Sequence, residues 1–142
     1  MSITQISVAV ENTPGKLDEV CEILEKEQIN IKGIMASSVL SPVQVHLVVS
    51  DPKKAETVLK SNGFTLEKKE VIAVATPDHP GGLNAVLRPL IEAHVNIETL
   101  YPFINLRASE AIIIIEVDNI ADATAVLKKH WVKTYGEEIY NY

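Results

Sequence analysis

The sequence predicts an α+β fold in which one unit of strand, helix, strand, strand, helix and strand occurs twice, and three observations lead there. The 142-residue chain is 46% hydrophobic and 23% charged, a composition of packed domains rather than of disordered chain. Its halves repeat. A shift of 66 residues lays Pro14-Gly15 on Pro80-Gly81, Leu17 on Leu83, Val20 on Val86, Leu24 on Leu90 and Asn30-Ile31 on Asn96-Ile97, and self-similarity at a fixed period marks a repeated unit. Along each half, apolar spacing also switches between periods of two and of 3.6 residues. The offset then drifts, "VLK" at 58–60 returning at 126–128, as small loop insertions would cause. Two domains are expected, 1–70 and 71–142.

The first strand of each copy is "ISVAV" at 6–10 and "IAVAT" at 72–76, where Ile6, Val8 and Val10 share one face. Leu17, Val20, Cys21 and Leu24 stand at i, i+3, i+4 and i+7, as do Leu83, Val86, Leu87 and Leu90, so each first helix turns one stripe to a core. Pro89 inside the second of these should kink or shorten it. "NIKGIMASSVL", the turn signal Ser41-Pro42 and the alternating "VQVHLVV" predict a strand pair. "PKKAETVLKSNG" predicts a helix ending at Gly63, a left-handed cap, and "FTLEKKE" a last strand. Phe64–Glu70 meets Val71–Thr76 without Gly or Pro. Two helices on one face of a four-stranded antiparallel sheet is the economical packing for this order, the ferredoxin-like arrangement.

Composition and missing motifs narrow the function. A formal charge of −6 gives no electrostatic footprint for nucleic acid or anionic membrane. The central strands contain no aromatic platform for stacking bases. One cysteine, Cys21, at a core position of its helix, forms no internal disulfide and fits a reducing, cytoplasmic compartment. No apolar run approaches a membrane span. His46, His94 and His130 lack metal-ligand spacing, so neither metal nor cofactor is expected. Arg88 and Arg107, the only arginines, do not lie in the first loops, where a phosphate cradle would need one.

The strand-to-helix loops carry the remaining chemistry. With Pro14 at the first helical position, the N–H groups of Gly15, Lys16 and Leu17 lack helix partners and the dipole favours a carboxylate. Gly15 admits a ligand to the main chain, and Asn12 offers both a donor and an acceptor, as a zwitterionic amino acid requires. In the second copy Asp78 replaces Asn12 and suits an ammonium group, while His79 replaces Thr13. Asp78 and His79 could also serve an enzyme as acid and base, but no nucleophile or metal accompanies them. A structural adaptor, in which both loops merely start helices, is the alternative to a ligand sensor.

These residues resemble a tandem ACT domain protein. The resemblance rests on Asn12-Thr13-Pro14-Gly15-Lys16-Leu17 with Asn30-Ile31, and on Asp78-His79-Pro80-Gly81-Gly82-Leu83 with Asn96-Ile97. It spans the whole chain. It implies a non-enzymatic regulator of amino-acid metabolism, with a free amino acid or similar metabolite held between the first loop of one copy and the second strand of its paired copy. Asn12 and Asp78 would hold the ligand's polar ends and Asn30 and Asn96 would close from across an interface. Met35, Ala36, Ser37, Tyr101 and Phe103 could line a side-chain pocket. Because the two modules fill these residues, the regulated enzyme is expected to be a separate protein.

"AIIIIEV" at 111–117 is apolar on both faces, Ile113, Ile115 and Val117 on one and Ile112 and Ile114 on the other. Its second face should be covered by another sheet, from the partner module or a second chain. A homodimer is expected.

Overall fold

The computed structural model describes residues 2–37, 42–105 and 110–142. Ser41 of the anticipated turn and Arg107 lie outside the described residues. The chain divides into two compact units, Thr4–Lys69 and Glu70–Tyr142, with Met1–Ile3 grouped with the second.

The first unit contains β1 (Ile3–Val10), α1 (Lys16–Lys26), β2 (Ile31–Ser37), β3 (Val43–Val49), α2 (Pro52–Ser61) and the opening of β4 (Leu66–Thr76). Its strands run in the order β2-β3-β1, with the approach to β4 beside β1 through Ala9 N–H to Thr65 O at 3.0 Å. β3 is antiparallel to both neighbours, Val8 facing Val45 and Ile34 facing Leu47. The period of two places Ile6, Val8, Val10, Val45 and Leu47 in one core with Val20 and Leu24 of α1 and Ala55 and Leu59 of α2. α2 starts at Asp51, whose carboxylate accepts the Lys54 N–H at 3.1 Å. Its C-cap is Asn62, and Gly63 just beyond it lies at φ +87, the left-handed position that the sequence predicts.

The second unit repeats this order. The rest of β4 is followed by α3 (Gly82–Glu92), β5 (Ile97–Pro102), β6 (Ala111–Val117), α4 (Ile120–Lys129), β7 (Thr134–Tyr135) and a 3-10 turn, Glu137–Asn141. Strand order is β5-β6-β4-β7, all antiparallel pairs. Ile72, Val74, Ile115 and Val117 pack against Val86 and Leu90 of α3 and Ala123 and Leu127 of α4. The fold is thus α+β, two ferredoxin-like modules.

Three expectations are corrected. The last strand of the first copy and the first of the second are one strand, β4, because no Gly, Pro or turn interrupts residues 66–76. α3 is not shortened by Pro89: it spans eleven residues, as α1 does. Pro89 lies near its C-terminus, and its buried ring contributes to the apolar face while its carbonyl still accepts the Ala93 N–H. Cys21 is half-buried rather than core, and Leu17 and Leu83 are 40% and 37% exposed, so the buried stripe reduces to Val20 with Leu24 and Val86 with Leu90. Ile112 and Ile114, whose face was expected to be covered either within the chain or by a second copy, are buried within the single chain.

Candidate functional site

Each loop before a first helix is a Pro-Gly turn. Thr13 O accepts the Lys16 N–H at 3.3 Å and His79 O accepts the Gly82 N–H at 2.9 Å. Gly15 lies at φ +87, ψ −10 and Gly81 at φ +84, ψ −5. Proline second and a left-handed residue third define a type II turn, which glycine enters without strain. Pro14 therefore precedes the helix by two positions instead of opening it, since Gly15 is the cap and α1 begins at Lys16. Of the three N–H groups expected to be open, that of Lys16 is already committed to the turn. Neither Gly15 nor Gly81 supplies a side-chain cap, unlike Asp51 and Asn119, which cap α2 and α4. The N–H groups of Leu17 and Asp18, and of Leu83 and Asn84, consequently start their helices without a side-chain acceptor.

In the first unit this turn borders a cavity of about 260 Å³. Val10, Val43 and Val45 form its apolar floor, Glu11, Asn12, Thr13 and Leu17 its loop side, and Ala36 and Ser37 of β2 its opposite wall. Polar groups on one wall and valines beneath suit a small ligand with a charged end and a short apolar part. The exposure of Leu17 has its explanation here, since the side chain faces the cavity. Met35 does not line it; it lies just before Ala36 on β2, opposite His46 on β3. Lys16 lies on the other side of the loop, in a separate recess with Asn62 and Gly63, and pairs with Glu19 at 3.6 Å.

Asn30 is distant within its own unit. It borders a recess with Cys21, Glu25 and Gln28 at the far end of α1, roughly 16 Å from the loop for an eleven-residue helix. Its N–H donates to Ser50 Oγ and its carbonyl accepts the Ser50 N–H, both at 2.9 Å. Asn96 repeats the arrangement: its N–H reaches Asp118 Oδ1 at 3.0 Å and its carbonyl accepts the Asp118 N–H at 3.1 Å. One unit does not bring either asparagine to its loop.

In the second unit Asp78, His79, Pro80, Gly81 and Leu83 are exposed. His79 Nδ1 donates to Pro80 O at 2.8 Å. Gly82 is buried against Pro77, whose carbonyl oxygen a Cβ would strike; the first unit has Lys16 at this position. Tyr101 and Phe103 are buried. Burial, and then the carboxylate of Glu116, push the Tyr101 phenol well above its ordinary range.

The two loops differ electrostatically. α1 carries Asp18 and Glu19 in its first turn, while α3 has no acid there. A ligand ammonium would find Glu11 beside the first loop and Asp78 in the second. Sequence reasoning passed over Glu11, although it directly precedes Asn12. It also gave no sign that His46 sits 2.8 Å from Ser7 Oγ and 3.2 Å from Gln5 Nε2. Among the described residues no three of His, Cys, Asp or Glu gather as a metal site, and no helix is long and apolar enough to cross a membrane.

Known proteins share this architecture. Protein BT0572 from Bacteroides thetaiotaomicron is 33% identical over 99% of this chain and 96% of its own, with a TM-score of 0.90. The regulatory subunit of aspartate kinase from Thermus thermophilus, in its ligand-free form, aligns over 90% of this chain and 89% of its own at 17% identity and a TM-score of 0.64. That of Thermus flavus aligns over 90% and 92% at 14% identity and a TM-score of 0.58. No curated protein matches. The family model described as an ACT domain pair matches residues 1–138, and the chain accordingly belongs to the ACT domain pair family.

Proposed function

We propose that the chain is a non-catalytic regulatory protein that binds a free amino acid or similar small metabolite at its two Pro-Gly loops and acts on a separate metabolic enzyme. The cavity beside Asn12 carries the reading, because it combines an uncapped helix start, a side chain able to donate and accept, and an apolar floor. The carboxylate would meet the free N–H groups of the first helical turn, and the ammonium would meet Asn12 and Glu11, or Asp78 in the second loop. The fold supports a regulatory role: two proteins that share it are regulatory subunits of aspartate kinase.

Asn30 and Asn96 stand a helix length from the loops of their own units, so they contribute to a site only across an interface. We place that interface between two copies of the chain, which makes the working form a homodimer. Binding there would favour one arrangement of the copies over another by the difference in affinity for the two.

Thermal unfolding with each of the twenty amino acids tests the reading. At a hundred times its dissociation constant a ligand adds about 2.7 kcal/mol, which raises the midpoint by several degrees. One amino acid, or a chemically related few, should do so, and Asn12→Ala or Asp78→Ala should remove the shift at its own loop. If no amino acid moves the midpoint of ligand-free, folded protein, free amino acids are the wrong ligands.

A further inference from the structure

The second unit contains a larger cleft that starts at Pro77, the residue before its Pro-Gly loop, and runs to the residues after α4. It measures about 450 Å³, within the range of small-molecule sites. Its floor is apolar: Ala75 and Pro77 from β4 and the residue after it, Ala85 and Val86 from α3, and Val132 beyond α4. Trp131 stands at its edge, 94% exposed. Glu110 and Lys133, of opposite charge, complete the rim together with His130, whose Nδ1 donates to Val126 O at 2.9 Å. Each has a partner, Glu110 Oε2 accepting from the Tyr135 hydroxyl at 3.4 Å and Lys133 Nζ standing 4.9 Å from the centre of the Tyr135 ring. The rim therefore selects neither anion nor cation, and the apolar floor and the indole decide what fits.

The internal repeat provides a control. The first unit has a smaller recess in the same place, between α1 and the residues after α2, lined by Glu11, Lys16, Glu19, Asn62 and Gly63 among others. In the second unit Pro77 stands for Glu11, Ala85 for Glu19, His130 for Asn62 and Trp131 for Gly63. The first recess keeps Ala9, Val10 and Phe64 among mostly polar neighbours, whereas the second has an apolar floor with an exposed indole at its edge. Packing does not account for the difference, because Trp131 buries almost nothing. Backbone geometry does not either: Trp131 lies at φ +58 and Gly63 at φ +87, a left-handed region where glycine is relaxed and a side chain is strained. Gln28 and His94 are also left-handed, at the ends of α1 and α3, but both are polar. An exposed indole on a strained backbone points to use by a ligand rather than by the fold.

We propose that this cleft is a second, independent binding site for a small planar aromatic compound, whose ring lies on the Ala75, Ala85 and Val86 floor and stacks against Trp131. The site does not depend on the Pro-Gly loops.

Trp131 is the only tryptophan, so its fluorescence reports this cleft alone. The protein would be titrated with benzyl alcohol, benzoate and phenylalanine, and with isopropanol and leucine as ring-free counterparts. A saturable shift or quench of emission with at least one ring compound and neither counterpart is expected. Ala85→Leu, an exposed helix position that fills the cleft, should weaken that response tenfold or more with an unchanged circular dichroism spectrum, while Ala121→Leu on α4 should keep it. Trp131→Gly should leave the unfolding midpoint unchanged or raised. The proposal is overturned if no ring compound gives a saturable change, if Ala85→Leu keeps the response while Asp78→Ala loses it, or if Trp131→Gly lowers the midpoint, since the indole would then serve the fold.

Discussion

Gly15 and Gly81 occupy equivalent turns, and φ values of +87 and +84 show the same backbone solution reached twice from Pro-Gly. That much was legible in the sequence. The helix start was not, because Pro-Gly before a helix is compatible both with proline at the first helical position and with a type II turn followed by a glycine cap. The hydrogen bond from Lys16 N–H to Thr13 O decides for the turn. Gly82 is a stronger constraint than either turn glycine. Gly82→Ala would drive a Cβ into the Pro77 carbonyl and should cost about 1–3 kcal/mol, as overpacking does. Gly15→Ala has open space around it and should cost only about 1–2 kcal/mol from left-handed strain. Urea unfolding of the two variants compares them directly.

Cys21 offers a residue-scale test with a pH sign. Burial first, then the negative charge of Asp18, raise its thiol above the usual range. The thiolate is the reacting form, so alkylation by iodoacetamide at pH 8 should be slower than for an ordinary cysteine and should accelerate only at higher pH. Asp18→Asn should bring the rate profile down in pH. An unchanged profile in that variant would remove Asp18 as a cause.

Among the elements, the helices divide into two kinds. α2 and α4 carry side-chain caps, Asp51 to Lys54 N–H at 3.1 Å and Asn119 to Asp122 N–H at 3.0 Å; α1 and α3 begin on glycine with none. Asp51→Ala and Asn119→Ala should each destabilise the folded chain by about 1 kcal/mol, measurable in chemical denaturation with or without amino acids present. The loops before α1 and α3 should instead gain stability from ligand. Strand and helix positions followed from apolar periodicity, as Ile6, Val8 and Val10 on one face and Val20 and Leu24 on one stripe demonstrate. Periodicity did not reveal that Leu17 leaves the core for the cavity, since spacing assigns a face to a residue without saying where along the helix the core ends. It also overestimated Pro89, which breaks a helix interior but is tolerated close to an end that packs its ring.

At the scale of the whole molecule, the 66-residue repeat made two copies of one module legible, because two copies of one pattern restrict each other, while the resemblance to the ACT family rested on the loop residues 12–17 and 78–83. The assembly was less legible. Ile112 and Ile114 left open a cover from within the chain or from a second copy, and they are buried within one chain; the proposed homodimer rests instead on Asn30 and Asn96 lying a helix length from their loops. Light scattering should return the mass of two chains; a monomer that still binds ligand would show that these asparagines are not required.

The central claim is that ligand enters at the Pro-Gly loops. Amide chemical shifts of ¹⁵N-labelled protein, recorded while the amino acid that most raises the unfolding midpoint is titrated in, test it most directly. The account predicts the largest saturable changes among Asn12, Thr13, Gly15, Lys16 and Leu17, among Asp78, His79, Gly81, Gly82 and Leu83, or at both loops. Saturable changes elsewhere with both loops still would contradict it.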